Sequence, residues 1–213
     1  MPGPRPRATA LLVDLDGTLR HWDHAVQATA ERRHGLAPGT ILRTAMEWPR
    51  VQPAITGQVT HAEWMAGVAA ALDAPDAVRE WAEYRGEVDA DVLGLVKAAR
   101  QAGLPVGIAT NATDRLDADL AALGLAGAVD AVLNSSVLGV PKPSPEYFAR
   151  ACRALRTPAE KVLFVDDSDR FVRGARAAGL SAYRWTGPAD LPYLRAALGL
   201  DQPASGAPAP LSR

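Results

Sequence analysis

The sequence predicts an α/β protein with a Rossmann-like, doubly wound parallel sheet and a small α-helical segment inserted after the first strand. Three observations predict this class. Short apolar runs recur along the 213 residues, and several end in acidic or polar residues, as strands buried on both faces do. From about residue 90 onward these runs alternate with helical patterns, which is typical of a doubly wound sheet. Residues 20–88 interrupt this alternation.

The first strand is predicted at residues 8–14, where an apolar run ends in Asp14-Leu-Asp16-Gly17-Thr18. The segment 20–88 contains helical stretches without clear strands, and Thr60 with Glu63 forms a capping-box pattern for one of them. We therefore expect a helical insertion at 20–88 and an α/β core formed by 8–19 and 89–200. Four tryptophans of this insertion are expected to pack in its core, namely Trp22, Trp48, Trp64 and Trp81.

The remaining strands are predicted from four further apolar runs. They lie at residues 104–110, 128–133, 161–165 and 180–185. Thr113, Ser144 and Ser168 are candidate N-caps of the helices between these strands. The Pro-, Ala- and Ser-rich stretch 201–213 is expected to be disordered.

Composition excludes several classes of protein. The chain is 48% hydrophobic and 22% charged, with a formal net charge of −1, so neither wholesale disorder nor a basic nucleic-acid-binding surface is expected. The single cysteine, Cys152, excludes an intrachain disulfide framework. The apolar stretch 8–13 is interrupted by Asp14, and no run reaches the length of a membrane span. We expect a cytoplasmic protein without membrane or nucleic-acid partners, as a monomer or weak dimer.

Polar residues that could take part in catalysis or binding follow the predicted strands. They are Asp14 and Asp16 after the first, Thr110 and Asn111 after the second, and Asp166 and Asp167 after the fourth, with Lys142 in the loop before the fourth. Because parallel strands bring their carboxyl ends to one edge of a sheet, these side chains should converge. Clustered carboxylates repel one another unless a cation lies among them. Oxygen ligands of this kind suit Mg²⁺.

Each motif also has a simple structural explanation. Asp16-Gly17 and Thr110-Asn111 could form ordinary turns, Asp166 and Asp167 could cap the following helix, and Lys142 could be a solvated surface residue. These explanations require four independent coincidences in the right order along the chain. The functional interpretation of the four motifs together is therefore favoured.

These residues resemble the haloacid dehalogenase-like hydrolase superfamily over about residues 8–19 and 90–186. Residues 14–18 resemble its first motif, DxDGT, and residues 108–111 resemble the second, an apolar strand that ends in Ser or Thr. Lys142 resembles the third motif, and Asp166-Asp167 resembles the acidic pair of the fourth. One departure stands at Phe171, where the family often has Asn or Asp. The helical segment resembles the cap of the family that follows the first strand.

The resemblance implies a role for each matched residue. Asp14 would be the nucleophile that forms an aspartyl-phosphate, and Asp16 would be the general acid and base. Mg²⁺ would be held by the Asp14 carboxylate, the backbone carbonyl of Asp16 and the Asp166/Asp167 pair. Thr110, with Asn111 beside it, would bind the phosphoryl group. Lys142 would neutralise charge between nucleophile and phosphate.

The expected function is a Mg²⁺-dependent phosphatase acting on a small phosphorylated metabolite. Asp16 favours this over a dehalogenase, because a departing halide needs no proton. A phosphomutase of the β-phosphoglucomutase type remains an alternative, since it would use the same core. A non-catalytic binding module is disfavoured, because the chain retains all the matched carboxylates. Residues at the entry to the cap, His21 and Trp22, could contact substrate.

Overall fold

A computed structural model describes residues 7–200. Its strands, in chain order, are β1 (Ala10–Val13), β2 (Arg20–His21), β3 (Glu87–Val88), β4 (Val106–Thr110), β5 (Ala131–Asn134), β6 (Val162–Asp166) and β7 (Ser181–Arg184). Five of them form one parallel sheet in the order β5-β4-β1-β6-β7. The predicted α/β class with a parallel, Rossmann-like sheet is therefore confirmed. The expectation for residues 201–213 lies outside the described residues.

The helices flank the sheet or form the insert after β2. They are α1 (His24–Arg33), α2 (Thr40–Ala45), α3 (Trp48–Ile55), α4 (His61–Leu72), α5 (Pro75–Glu83), α6 (Ala90–Gln101), α7 (Leu116–Ala122), α8 (Ser135–Leu138), α9 (Pro145–Ala154), α10 (Asp169–Ala177) and α11 (Leu191–Leu198). Within residues 7–200, no helix is both long enough and apolar enough to cross a bilayer.

The central strand β1 is buried on both faces. Leu11 and Val13 pack with residues of α6, α7 and α11 on one face of the sheet. Ala10 and Leu12 pack with residues of α9 and α10 on the other face. Successive side chains of a strand point to opposite faces, so a strand with a core on each side must be apolar at every position. This explains the continuous apolar run in the sequence.

Helices α1–α5 lie between β2 and β3, and we call this segment, residues 22–86, the helical insert. It has a hydrophobic cluster of its own, which includes Ile41, Met65 and Val68. The capping box of Thr60 and Glu63 is present at the start of α4, as predicted. The expectation that Trp48 packs in a core is wrong, because this residue is 58% exposed at the start of α3.

A two-stranded ribbon joins the helical insert to the sheet, although the sequence indicated no strand in this region. Arg20 of β2 pairs with Val88 of β3, and His21 pairs with Glu87, in antiparallel register. The backbone N–H of Asp89 also donates to the carbonyl of Leu19. The two chain segments that connect the sheet to the insert therefore run side by side.

The three residues predicted as helix N-caps differ in what the structure shows. The Ser144 hydroxyl accepts a hydrogen bond from the backbone of Glu146 and caps α9, as expected. Ser168 stands at the N-cap of α10 but makes no side-chain cap bond. Thr113 is not the N-cap of α7, because the helix begins two residues later than expected and Arg115 stands at the cap. The Thr113 hydroxyl instead accepts from the backbone of Arg115 within the preceding turn.

Candidate active site

The candidate site lies at the carboxyl ends of three adjacent strands. Strand β1 pairs with β4 on one side and β6 on the other, so the residues that end or follow these strands are neighbours. Asp14 follows β1, Thr110 ends β4 and Asp166 ends β6. All three are buried, with Asp166 fully excluded from solvent. The predicted convergence of these strand ends is present.

The Lys142 ammonium joins two of these carboxylates. Its Nζ atom donates to Oδ1 of Asp14 and to Oδ2 of Asp166, both at 2.7 Å. The rings of Phe164 and Phe171 lie 5.4 and 4.9 Å from the same nitrogen. Lys142 is only 3% exposed, so the alternative of a solvated surface lysine is wrong. Phe171, which departs from the fourth motif, therefore places an aromatic ring beside the Lys142 ammonium group.

Burial and mutual repulsion shift the acidity of these groups. Burial raises the pKa of Asp14; Lys142 opposes that rise and the Asp166 carboxylate adds to it. Partial burial of the carboxyl group, followed by the charge of Asp166, raises the pKa of Asp167. Burial alone would lower the pKa of Lys142, but Asp14 and Asp166 outweigh it and raise that pKa. For Asp14, the single ammonium group therefore does not outweigh burial and the neighbouring carboxylates, and a further cation would stabilise the ionised form.

Three of these carboxylates fit a divalent cation. Asp14, Asp166 and Asp167 each offer an oxygen, and the three oxygens lie within 4.8 Å of one another. Asp166 is fixed further, because its Oδ1 accepts from the backbone N–H of Ser168 at 2.8 Å. A donor set made only of carboxylate oxygens suits a hard cation such as Mg²⁺.

Gly17 allows Asp167 to reach this cluster. Its φ of +88° lies in the left-handed region, and a Cβ at this position would lie 2.4 Å from Oδ2 of Asp167. Any side chain here would therefore strain the backbone and displace the carboxylate. The glycine of the DxDGT motif has a direct steric role beside the acidic cluster.

Asn111 holds the backbone of Lys142. Its Oδ1 accepts from the N–H of Lys142 at 2.8 Å, and its Nδ2 donates to the carbonyl of Lys142 at 3.1 Å. Sequence reasoning placed Asn111 beside the phosphoryl group, but its described contacts are with the lysine loop. Thr110, next to it, is 1% exposed at the end of β4. The carbonyl of Thr110 accepts from the Tyr147 hydroxyl at 3.5 Å, so Asn111 and Thr110 contact different residues.

The Asp16 side chain binds residues outside the cluster formed by Asp14, Asp166 and Asp167. The Arg20 guanidinium donates from Nε to Oδ1 at 2.7 Å and from Nη2 to Oδ2 at 3.0 Å. The Trp22 indole N–H also donates to Oδ1, at 2.7 Å. Sequence reasoning missed Arg20 altogether. The signal for Trp22 was its position at the entry to the insert. Arg20 lies in β2 rather than in a helix, so its spacing of four residues from Asp16 carries no helical meaning.

A cavity of about 390 Å³ lies at the junction of α4, α5 and the start of α7. Apolar residues of α4 and α5 line one side, and His61, Arg79, Arg85 and Arg115 contribute polar groups. The carboxylate cluster does not line this cavity. The cavity therefore lies between the insert and the start of α7, and it is distinct from the strand-end site.

The chain and its fold match a known family. A family model of haloacid dehalogenase-like hydrolases covers residues 8–179, and the chain belongs to this family. It is an enzyme of the hydrolase class. A phosphatase of Mycobacterium tuberculosis is 29% identical over 188 residues, covering 82% of this chain and 86% of the relative. A phosphoglycolate phosphatase of Cupriavidus necator is 29% identical over 205 residues, covering 91% and 87%.

Solved structures share the fold. An enzyme of the same family from Bacteroides thetaiotaomicron, solved in complex with magnesium and inorganic phosphate, matches with a TM-score of 0.73. The match covers 88% of this chain and 98% of that enzyme at 18% identity. At this level of identity the likeness extends to the fold alone.

Proposed function

We propose that the protein is a Mg²⁺-dependent phosphatase that hydrolyses a small phosphate monoester through an aspartyl-phosphate at Asp14. The observation that carries this proposal is the buried bridge of Lys142 between Asp14 and Asp166, with Asp167 beside it. An anionic nucleophile must approach an anionic phosphoryl group in this reaction. Fixed positive charge at the nucleophile is therefore the main requirement for catalysis.

The chemistry proceeds in two steps. In the first, an oxygen of Asp14 forms a bond to phosphorus while the bond from phosphorus to the ester oxygen breaks, and Asp16 gives a proton to that oxygen. In the second, Asp16 takes a proton from water as the water oxygen attacks phosphorus, and the bond to Asp14 breaks. Inorganic phosphate leaves and both aspartates are regenerated.

The remaining residues support these steps. Lys142 offsets the charge that accumulates between Asp14 and the phosphoryl group. Asn111 supports it by fixing its backbone. The Thr110 hydroxyl would donate to a phosphoryl oxygen. Asp14, Asp166 and Asp167 would hold Mg²⁺, together with the backbone carbonyl of Asp16. When bound, the cation supplies charge neutralisation of the phosphoryl oxygens.

The helical insert would act as the cap, which closes over the site and excludes water. Its attachment through β2 and β3, immediately after the first motif, supports this assignment. Two relatives bear names of phosphatases for small metabolites, the phosphoglycolate phosphatase of Cupriavidus necator and a phosphoserine phosphatase of Thermus thermophilus. A small phosphorylated metabolite is accordingly the proposed substrate class.

The test is release of inorganic phosphate from a panel of small phosphate monoesters, with MgCl₂ and with a chelator. We expect release from at least one ester in Mg²⁺ and its loss with the chelator. Absence of release across the panel would overturn the proposal. Transfer of the phosphoryl group to a second sugar hydroxyl, without release, would favour a phosphomutase instead.

A further inference from the structure

Asp119 is a buried carboxylate outside the strand-end site, and three guanidinium groups surround it. It lies on α7 and is 6% exposed. Its Oδ2 lies 3.4 Å from Nη1 of Arg20, and its Oδ1 lies 3.1 Å from Nε of Arg115 and in contact with Arg85. A buried anion with this many cationic partners is fixed in place.

Arg20 connects Asp119 to Asp16. Two of its nitrogens bind the two oxygens of Asp16 in a fork, and the third nitrogen faces Asp119. The same third nitrogen lies 3.5 Å from the carbonyl of Arg85. Arg20 is 3% exposed, so water does not compete strongly for these bonds. The guanidinium group is therefore held from both ends.

Trp22 completes the environment of Asp16. Its indole N–H binds Oδ1, and its ring lies 4.6 Å from the guanidinium carbon of Arg20. Tyr84 packs edge-on against the same ring at 5.7 Å. The Asp16 carboxyl thus accepts three hydrogen bonds, while its side chain remains 38% exposed. It is fixed in direction yet accessible from one side.

We propose that Arg20 is a positioning residue for Asp16 and that Asp119 holds Arg20 in place. This inference rests on the proposed function, in which Asp16 exchanges a proton with the ester oxygen. Proton transfer requires the two heavy atoms to lie within hydrogen-bond distance, so a freely rotating Asp16 would be a poor catalyst. Arg20 restricts that rotation through a two-point contact, which a lysine cannot reproduce.

The alternative is a purely structural network that joins α7 to the insert. A positioning role and a purely structural role predict different dependences of the hydrolysis rate on the leaving group. Alkyl phosphates need a proton on the departing oxygen, whereas 4-nitrophenyl phosphate releases a stable anion. Loss of positioning should therefore slow hydrolysis of the alkyl phosphate selectively, whereas loss of structure should slow hydrolysis of both esters.

The experiment compares kcat/KM for glycerol phosphate and for 4-nitrophenyl phosphate, because this ratio includes departure of the leaving group. We expect Arg20→Lys to lower kcat/KM for glycerol phosphate by at least about tenfold, and that for 4-nitrophenyl phosphate by less than about threefold. Asp119→Asn should act in the same direction. Trp22→Phe, which removes one donor but keeps the ring, provides a third variant if Arg20→Lys does not fold.

A double-mutant cycle with Asp16→Asn completes the test. Once Asp16→Asn has removed the acid, Arg20→Lys should cause no further loss with glycerol phosphate. Arg100→Lys, which changes an exposed ion pair with Asp130, is the matched control and should leave kcat/KM for both esters unchanged. Equal losses for both esters, or losses that multiply in the cycle, would overturn the positioning role. Inability of the unsubstituted protein to hydrolyse any ester of the panel, these two included, would overturn the proposed function, and this inference with it.

Discussion

Nζ of Lys142 lies 2.7 Å from Oδ1 of Asp14, although 128 residues separate them along the chain. The contact joins the loop before α9 to the end of the central strand. The contact places a cation at the carboxylate that we propose as the nucleophile. Neither residue has a packing reason to be buried, since burial of each charge is unfavourable without the other.

Replacement of Asp14 by Asn should abolish turnover. The side chain keeps its size but loses the anionic oxygen that attacks phosphorus, so we expect phosphate release to fall at least about 10³-fold. The measurement is kcat in MgCl₂ on a substrate from the panel. Asp117→Asn, the same change at an exposed position of α7, is the control and should retain activity. Full metal-dependent turnover in Asp14→Asn would show that Asp14 is not the nucleophile.

Replacement of Lys142 by Met should destabilise the fold as well as remove activity. The variant leaves Asp14 and Asp166 buried without their shared cation, and we expect the free energy of unfolding to fall by about 3 kcal/mol. Urea unfolding measures this value. Lys97→Met, at an exposed position of α6, provides the control and should change stability little. A similar small change in both variants would contradict the assigned role of the buried pair.

Replacement of Gly17 by Ala should weaken metal binding. The new Cβ would lie 2.4 Å from Oδ2 of Asp167, so the carboxylate must move. Gly124→Ala is a matched control, because Gly124 also has positive φ, of +69°, but its Cβ would meet no atom within 4 Å. Both variants should lose about 1 kcal/mol of stability through backbone strain.

Only Gly17→Ala should alter the response to Mg²⁺. We expect its half-saturating Mg²⁺ concentration in the phosphate-release assay to rise by about tenfold. Equal Mg²⁺ dependence in the two alanine variants would remove Asp167 from the proposed metal site.

His61 should make stability depend on pH. Burial, followed by the nearby charge of Arg115, lowers its pKa from 6.5 to about 4. Between these values the unfolded chain binds a proton that the folded protein does not, so the free energy of unfolding should fall as the pH falls from 6.5 towards 4. Because the side chain is half-buried, we expect an effect of about 1 kcal/mol.

Urea unfolding at several pH values measures this dependence. His61→Gln cannot take up the proton in either state and should therefore show a shallower decline than the unsubstituted protein. Identical declines in the two proteins would assign the pH dependence to other groups.

The strand-end site was largely accessible to sequence reasoning because its geometry follows from topology. A strand such as β1, with a core on each face, must be continuously apolar, and parallel strands necessarily bring their carboxyl ends together. Asp14, Thr110 and Asp166 could therefore be predicted to meet before any contact was known. Their separation along the chain did not matter, since the sheet order fixed their positions.

Other features depend on contacts that no local pattern records. Strands β2 and β3 contain two residues each, too few for any alternation to be recognised. Arg20 and Asp119 are 99 residues apart and belong to no motif, so their pairing could not be foreseen. The hydrophobicity of Trp48 predicts burial, but this residue stands at the start of α3 and is 58% exposed.

The pairing of β2 with β3 makes the architecture modular. The backbone departs at His21 and returns at Glu87 on directly hydrogen-bonded neighbours, so the ends of the excursion are already side by side. A segment of almost any length could be spliced between them without disturbing the strand order of the sheet. Changes in the length or sequence of the insert can therefore leave the strand-end carboxylates in place, so the cap that we propose can diverge between relatives while the residues proposed for catalysis are retained.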